Sequence, residues 1–292
     1  MRRLLSIFAV AVLCGISIAP SYAQRPKAPE RQALSDTDYD FSLYGNVSSI
    51  KVSSYDLVVR SGVESKGEFH DSNVIVFTSR GDLSKATIYF GEGFWGTCTY
   101  FYDQQGRLIR AETHDADTGS YEGKTAFNYG TNGKASERIV YERNGSISYK
   151  DKYTYDAQKR LLSEATYFDG KLSSKTVNTY GSNGLISRAV VYDERGKKII
   201  SKEWKYDGYK NLIRFTSYDE YGNKSYEETY KYDSRGYMIS STEQSFDEFY
   251  ETENTYKYKY DAKGNVIEKR TYGYYDNRLE PPSITIYTIN YR

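Results

Sequence analysis

Aromatic and polar residues alternate with a period of two along much of the chain. Tyr256, Tyr258 and Tyr260, for example, are separated by Lys257 and Lys259. Successive side chains of a β-strand point to opposite faces, so this alternation predicts strands with one aromatic and one charged face. No window carries an apolar stripe at the helical period over three turns. The pattern therefore predicts an all-β protein.

The predicted strands belong to a repeat. Aromatic residues followed by a turn signal return about every 26 residues. This series consists of Tyr102, Tyr129, Tyr155, Tyr180, Tyr206, Tyr232 and Tyr260. A second series lies between these positions, at Tyr141, Phe168, Tyr192, Tyr218, Phe246 and Tyr275. The repeat unit therefore contains two strands and two turns, with one turn at each edge of the sheet.

The turns have a recognisable chemistry. In the pattern Tyr-Asp-x-x-Gly, the Asp takes the first position of a type I turn, where its carboxylate accepts a local backbone N–H. Glycine follows where the chain needs a positive φ to enter the next strand, as at Gly106 and Gly236. Lys159 and Lys210 stand where this glycine is expected. The sequence predicts that these two turns are longer or differently shaped.

The repeat predicts a single domain over residues 41–292, of which residues 41–97 form a diverged N-terminal part. Its architecture is a repetitive antiparallel β-meander of about eighteen strands. An apolar pair such as Leu212-Ile213 follows the Tyr-Asp turns and places apolar side chains on both faces of the sheet. We therefore expect an extended twisted or spiralling sheet.

The N-terminus has the pattern of a secretory signal. Residues 1–23 combine a basic start, an apolar stretch and a Ser-Tyr-Ala cleavage signal, and residues 24–40 form a polar, proline-containing flexible linker. The prediction is an extracytoplasmic protein, periplasmic or secreted, with no membrane span in the mature chain. An alternative is lipoprotein anchoring through Cys14. If Cys14 is instead removed with the signal, Cys98 is the only cysteine of the mature chain, and no intramolecular disulfide is expected.

Composition narrows the classes of partner. The chain has 40 basic and 39 acidic residues in mixed order, without the basic stripe of a nucleic-acid-binding protein. It has 33 tyrosines but only two tryptophans, and tyrosine suits a sheet with much half-exposed surface because its ring is apolar and its hydroxyl polar. The sequence leaves the oligomeric state open.

The repeated segments resemble the bacterial YD-repeat proteins, an RHS-like family. The resemblance rests on segments such as YDQQGRLIRAE at Tyr102 and YDAKGNVIEKRTY at Tyr260, and covers about Thr99 to Tyr275. It implies an antiparallel β-meander in an extracytoplasmic or cell-surface protein, with repeats often associated with carbohydrate binding or adhesion. It implies no catalytic residues.

No catalytic or metal-binding pattern emerges from the sequence. His70 and His114 are the only histidines and neither lies in a nucleophile motif. The segment from His114 to Gly119 resembles a calcium loop, but its further ligands do not fall at the required spacing. We therefore predict a non-enzymatic protein without cofactor or metal.

The aromatic face is the best candidate for a binding site. Rings on a sheet can stack on sugars, and the residues singled out as ligand-binding are Trp95, Trp204, Tyr206, Tyr256 and Tyr258. The alternative for most tyrosines is a structural role in cross-strand contacts. The predicted function is binding or scaffolding, with a glycan or a cell-surface protein as partner.

Three other functions are weighed against it. One is a passive structural or adhesion spacer. A second is a polysaccharide hydrolase that uses a carboxylate pair. A third is an outer-membrane barrel, which needs a charge-free apolar band. Asp151 shares a strand face with Tyr153, and Glu228 shares one with Tyr230, so the aromatic face is not free of charge.

Overall fold

The fold is all-β, as predicted. A computed structural model describes residues 43–90, 93–115, 117–276 and 278–292, and the predicted signal peptide and the predicted linker lie outside this part of the chain. Its strands are β1 (Val47–Arg60), β2 (Val63–Phe77), β3 (Leu83–Phe90), β4 (Gly93–Tyr102), β5 (Leu108–Asp115), β6 (Tyr121–Tyr129), β7 (Ala135–Glu142), β8 (Ile147–Tyr155), β9 (Leu161–Phe168), β10 (Lys171–Tyr180), β11 (Ile186–Asp193), β12 (Lys198–Tyr206), β13 (Leu212–Tyr218), β14 (Lys224–Tyr232), β15 (Met238–Ser245), β16 (Tyr250–Tyr260), β17 (Val266–Tyr275), β18 (Arg278–Leu279) and β19 (Ser283–Tyr291).

The sheet closes on itself. Each strand from β1 to β17 pairs antiparallel with the next one along the chain, β17 pairs with β19, and β19 pairs with β1. The short β18 only extends the end of β17. The antiparallel meander is therefore confirmed, but the expected open or spiralling sheet is wrong. Eighteen strands, β1 to β17 and β19, form a closed barrel.

Closure satisfies the backbone groups that an open sheet would leave unpaired at its two edges. Strand β1 pairs with β19 from Val47, opposite Tyr291, to Asp56, opposite Ser283. The repeat alone could not reveal this pairing, because it joins the diverged N-terminal strand to the last strand.

The turns define two ends of the barrel. We call "first rim" the end formed by the turns at residues 78–82, 103–107, 130–134, 156–160, 181–185, 207–211, 233–237 and 261–265, and "second rim" the opposite end. At the first rim, Asp103 Oδ1 accepts hydrogen bonds from the backbone N–H groups of Gln105 and Arg107, and Gly106 has a φ of +78°. The predicted turn chemistry is confirmed here.

The two turns without glycine keep the same shape, so the prediction that they differ is wrong. Lys159 N–H donates to Asp156 O at 2.9 Å, and Lys210 N–H donates to Asp207 O at 3.1 Å, as glycine does in the other turns. Lys159 and Lys210 take the left-handed conformation themselves, with φ of 60° and 69°. An L-residue pays about 1–2 kcal/mol for this conformation, and the Asp-anchored hydrogen bonds of the turn hold it there.

The two faces of the sheet differ in accessibility. Residues directly opposite one another on neighbouring strands share a face, and one continuous ladder runs from Ile50 through Ile75 and Ala86 to Cys98. Several side chains on this face are fully buried, such as those of Ile50 and Cys98. The other face carries exposed basic residues at Lys51, Lys152, Lys175, Arg188, Lys205, Arg214, Lys231, Lys257 and Lys259. Side chains converge inside a closed barrel and diverge outside it, so the aromatic and apolar face lines the interior.

Buried residues concentrate on one side of the barrel. One cluster joins β1, β2, β17 and β19 and includes Ile50, Val52, Ile75, Val266 and Tyr287. A second cluster spans β3 to β6. It contains Cys98, which is fully buried, together with the buried Tyr100.

Several tyrosines that precede the first-rim turns brace neighbouring repeat units. Their hydroxyl groups donate to backbone carbonyls one unit earlier, as in Tyr129 to Leu108 O at 2.6 Å, Tyr155 to Ala135 O at 2.8 Å and Tyr232 to Leu212 O at 2.8 Å. Burial raises the pKa of Tyr155 and of Tyr232 to about 12. These rings have the structural role that the sequence left as an alternative.

No helix among the described residues is long and apolar enough to cross a membrane.

Candidate binding surface inside the barrel

The structure places four of the five predicted ligand-binding residues on the interior face, not on an exposed surface. Trp204 and Tyr206 lie on β12, and Tyr256 and Tyr258 lie on β16. Trp95 belongs to β4, but its side chain lies outside the part of the chain that the structure describes. The sequence left open whether the aromatic face is exposed or internal, and closure of the barrel turns it inward.

Residues that sequence reasoning missed connect β12 with β16. The Trp204 ring lies 5.3 Å from that of Phe215 on β13, and Phe215 lies 6.1 Å from Tyr226 on β14. Tyr230 faces Ser241 across the β14–β15 pair, and Ser241 Oγ lies 2.8 Å from the Tyr256 hydroxyl. We call Trp204, Phe215, Tyr226, Tyr230 and Tyr256 the interior strip.

Solvent reaches the interior strip. All five side chains are half-buried, unlike the fully buried Ile50 and Ile75 on the same face of β1 and β2. This agrees with the size of the barrel, since about eight strands enclose a filled core and about 16–18 leave an aqueous channel. At a strand spacing of about 4.8 Å, eighteen strands span roughly 86 Å measured perpendicular to the strands. Strand tilt makes the circumference of the barrel longer than this. The strip therefore lines accessible space inside the protein.

Two of the predicted residues differ in role. The Tyr258 hydroxyl donates to Met238 O at 2.6 Å, which makes it a brace like the other rim tyrosines. Tyr256 lies beneath the Lys269 ammonium group, 4.7 Å from the ring centroid. Tyr256 therefore combines an aromatic ring with a neighbouring cation and a hydroxyl group.

Two carboxylates lie within the strip. Glu228 on β14 and Glu243 on β15 are direct cross-strand partners. Glu228 accepts hydrogen bonds from the Tyr226 and Tyr230 hydroxyls, and Glu243 accepts one from Tyr250 at 2.7 Å. Burial and the charge of Glu243 raise the pKa of Glu228, although the Tyr226 hydrogen bond opposes them. This part of the interior offers hydrogen-bond acceptors beside aromatic rings.

Replacing Glu228 by glutamine should stabilise the protein at neutral pH. A raised folded-state pKa means that ionised Glu228 destabilises the fold, and the penalty vanishes below the unfolded-state pKa of about 4.3. We expect a gain of up to about 1 kcal/mol at pH 7, the size of a cross-strand like-charge effect, and none near pH 4. Urea unfolding at both pH values measures this difference.

Glu227 provides the control on the adjacent position. Burial tends to raise its pKa, but hydrogen bonds and charge from Lys224, with a hydrogen bond from Thr216, outweigh burial and lower it. Its ionised form therefore stabilises the fold at neutral pH, and this contribution is lost as pH falls through the lowered pKa. Glu227→Gln should destabilise at pH 7. Equal effects of the two substitutions would contradict the assignment for Glu228.

A buried ion pair joins β7 and β8, and a hydrogen bond ties it to β9. Arg138 Nε donates to Asp151 Oδ2 at 2.7 Å, and the Thr166 hydroxyl donates to Asp151 Oδ1 at 2.8 Å. Asp151 is 1% exposed and the Arg138 side chain 16%. Burial and the charge of Asp151 raise the pKa of nearby Glu164, against the opposing charge of Arg138. Both carboxylate oxygens of Asp151 accept a hydrogen bond from within the fold, so we assign this group a structural role.

Other sequence candidates do not gather into a site. His70 pairs with Asp56 at 2.7 Å on the surface, and the His114 ring contacts Tyr121. Asp115 Oδ1 accepts hydrogen bonds from the N–H groups of Asp117 and Thr118, as in an ordinary polar turn. Within the described residues, no three His, Cys, Asp or Glu side chains gather as metal ligands.

Comparisons with known proteins give no family. No protein-family model matches the chain, and no curated protein matches it. The resemblance to YD-repeat proteins therefore stays a prediction.

Solved structures resemble the chain only distantly. A porin-like protein from Bacteroides uniformis is 12% identical with a TM-score of 0.47, over 85% of this chain and 99% of that one. A porin-like protein from Bacteroides vulgatus is 11% identical with a TM-score of 0.36, over 84% and 98%. The solved structure of TcdB2-TccC3 is 11% identical with a TM-score of 0.39, over 79% of this chain but 14% of that one. Similarity at this level carries no conclusion about function.

Proposed function

We propose that the protein is a non-enzymatic, extracytoplasmic binding protein that takes up a glycan chain inside its barrel. The observation that carries this proposal is the interior strip, a row of half-buried aromatic side chains across β12 to β16. Aromatic faces suit the apolar faces of sugar rings, and nearby carboxylates, hydroxyls and Lys269 suit their hydroxyl groups. The extracytoplasmic location rests on the signal sequence predicted at residues 1–23.

The position of the strip favours a slender ligand over a folded partner. A folded cell-surface protein would need an outward-facing patch, whereas the outer face in this part of the barrel carries exposed charges such as Lys205, Arg214 and Lys231. An extended glycan chain is narrow enough to enter a channel. The same inward placement argues against a passive spacer, which has no use for solvent-accessible rings in its interior.

The outer face also argues against an outer-membrane barrel. Lipid-facing surfaces of such barrels carry an apolar band, and a Lys or Arg at the bilayer midplane costs about 2–4 kcal/mol. Here the basic side chains of the outer face recur from β1 to β16, in the middle of the strands as well as near their ends. Exposed basic side chains lie on the outer face at the level where an outer-membrane barrel carries its apolar band.

Alanine at Trp204 should weaken glycan binding roughly tenfold, because an aromatic contact contributes about 0.5–1.5 kcal/mol beyond its burial. Affinity electrophoresis against a panel of polysaccharides identifies a ligand, and titration calorimetry then compares variants. Phe215→Ala should act in the same direction. Trp204→Phe, which keeps a ring in the strip, should give an intermediate loss. This variant provides the test if the alanine variant does not fold.

Matched controls are available outside the barrel interior. Tyr209 and Tyr221 are aromatic residues in turns and are 82% and 81% exposed. Tyr209→Ala and Tyr221→Ala should leave binding unchanged. If they weaken binding while Trp204→Ala does not, the ligand binds at the rims and the interior strip is excluded.

A further inference from the structure

A cavity at the first rim has a basic lining. It measures about 310 Å³ and lies between the turns at 233–237 and 261–265, lined by Tyr44, Arg235, Tyr237, Tyr260, Lys263 and Gly264. Small-molecule sites begin at about 300 Å³, so this cavity has room for a group the size of one sugar residue. Tyr260 lies on the same face of β16 as Tyr256, which links the cavity to the interior strip.

The two cations occupy equivalent positions in consecutive turns. Arg235 and Lys263 are third residues of the turns that begin at Asp233 and Asp261. The same position in the other first-rim turns holds Arg80, Gln105, Asn132, Gln158, Asn183 and Tyr209. Of these, the basic Arg80 is paired with Asp82 at 3.1 Å. The cavity is thus the place where two neighbouring repeat units both carry a cation.

Aromatic rings hold these cations in place. The Arg235 guanidinium lies 5.1 Å from the Tyr260 ring centroid, and the Lys263 ammonium lies 3.4 Å from that of Tyr291. In the part of the chain that the structure describes, neither side chain lies within ion-pair distance of a carboxylate. Both therefore keep hydrogen-bond donors for a ligand.

The nearest carboxylates are engaged by their own turns. Asp233 Oδ1 accepts hydrogen bonds from the N–H groups of Arg235 and Tyr237. Asp261 Oδ1 accepts from those of Lys263 and Asn265, while Asp261 Oδ2 accepts from the Tyr291 hydroxyl. These contacts fix the turns that present the two cations.

We propose that Arg235 and Lys263 bind an anionic substituent of a sugar, a carboxylate or a sulfate, at the first rim. The glycan inside the barrel is then an acidic one. The sugar part of this inference rests on the proposed function, whereas the anion site rests on the cavity itself. An arginine fork and a lysine point charge together suit a planar carboxylate or a tetrahedral sulfate.

Binding of defined tetrasaccharides tests the proposal. Calorimetry on the whole chain compares tetragalacturonate, which carries carboxylates, with a heparin-derived tetrasaccharide, which adds sulfates, and with neutral cellotetraose. Arg235→Gln combined with Lys263→Gln should reduce affinity for the anionic ligand about tenfold or more, since charge-assisted hydrogen bonds are the stronger ones. The comparison between the two anionic probes shows whether carboxylate or sulfate is preferred.

Arg195 is the matched control, because it is also the third residue of an Asp turn but lies at the second rim, with its side chain 85% exposed. Arg195→Gln should not change any affinity. If the double variant binds both anionic tetrasaccharides as tightly as the parent, the proposed anion site is wrong.

Sodium sulfate separates this inference from the proposed function. Titration at constant ionic strength should produce saturable amide shifts of Gly236 and Gly264 in NMR spectra of the parent but not of the double variant. Absence of these shifts in the parent overturns the anion site, whatever the glycans do. Shifts with sulfate but no binding of any tetrasaccharide or polysaccharide overturn the glycan function and leave the anion site standing.

Discussion

Replacing Asp151 by alanine should lower the free energy of unfolding by about 3 kcal/mol or more. Asp151 is 1% exposed and accepts hydrogen bonds from Arg138 at 2.7 Å and from Thr166 at 2.8 Å. Its removal leaves the mostly buried Arg138 charge and the Thr166 hydroxyl without their acceptor. Breaking a buried pair by deleting one partner typically costs about 3–5 kcal/mol. Urea unfolding at neutral pH measures the loss.

The double variant Arg138→Met, Asp151→Leu shows whether the ion pair itself stabilises the protein, or whether only the removal of one partner is costly. Apolar residues of similar volume often replace a buried ion pair without loss. The double variant should therefore be more stable than Asp151→Ala and differ from the parent mainly by the cost of the Thr166 hydroxyl, which still lacks its acceptor, about 1 kcal/mol. An exposed pair gives the second reference: Glu194→Gln, beside Arg195 at 3.6 Å, should change stability by less than about 0.5 kcal/mol. A small effect of Asp151→Ala alone would show that water replaces the lost acceptor.

Alanine at Asn265 should cost about 2–4 kcal/mol. This fully buried side chain accepts a hydrogen bond from Tyr44 N–H at 2.6 Å and donates to Tyr44 O at 2.9 Å and to the Tyr291 hydroxyl at 2.7 Å. It thereby joins the β16–β17 turn to the segment before β1 and to the end of β19. Each buried partner left unsatisfied costs about 1–3 kcal/mol. Thermal and urea unfolding report the loss.

The repeat provides an internal control for Asn265. Asn223 follows the glycine of its Asp turn in the same way and donates to Asp219 Oδ2 at 3.0 Å, but it is exposed. Asn223→Ala should cost less than about 1 kcal/mol. If the two substitutions had equal effects, the contacts of Asn265 with Tyr44 and Tyr291 would contribute nothing to barrel stability.

Local features of the fold were predictable from the sequence because they are decided within one repeat unit. Alternation fixes which side chains share a face, and Asp with a positive-φ residue fixes most of the turns. The error at Lys159 has the same local origin: the Asp156 carboxylate accepts hydrogen bonds from Gln158 N–H and Arg160 N–H and imposes the turn even without glycine. In this turn the Asp is sufficient without the glycine.

Closure and the position of the candidate site were not predictable in this way. Both depend on the pairing of β1 with β19, and the number of strands at which a twisting sheet meets its own edge is not encoded in any single unit. Trp204 and Tyr256 were identified by residue type, but their inward direction follows only from closure. Phe215, Tyr226 and Tyr230 were missed, although strand alternation already indicates which face of its strand each one occupies.

The pairing of Val47 with Tyr291 also constrains how the molecule folds. Nearly all other strand pairs join neighbours in the chain, so their hairpins close short loops and can form while the polypeptide is still emerging. The β1–β19 seam brings together residues more than 200 positions apart and bears the full entropy of closing the ring. Until β19 arrives, β1 and the growing array present open edges to other chains. Closure is thus expected to be the last step of folding, and the interval before it the time of greatest exposure to aggregation.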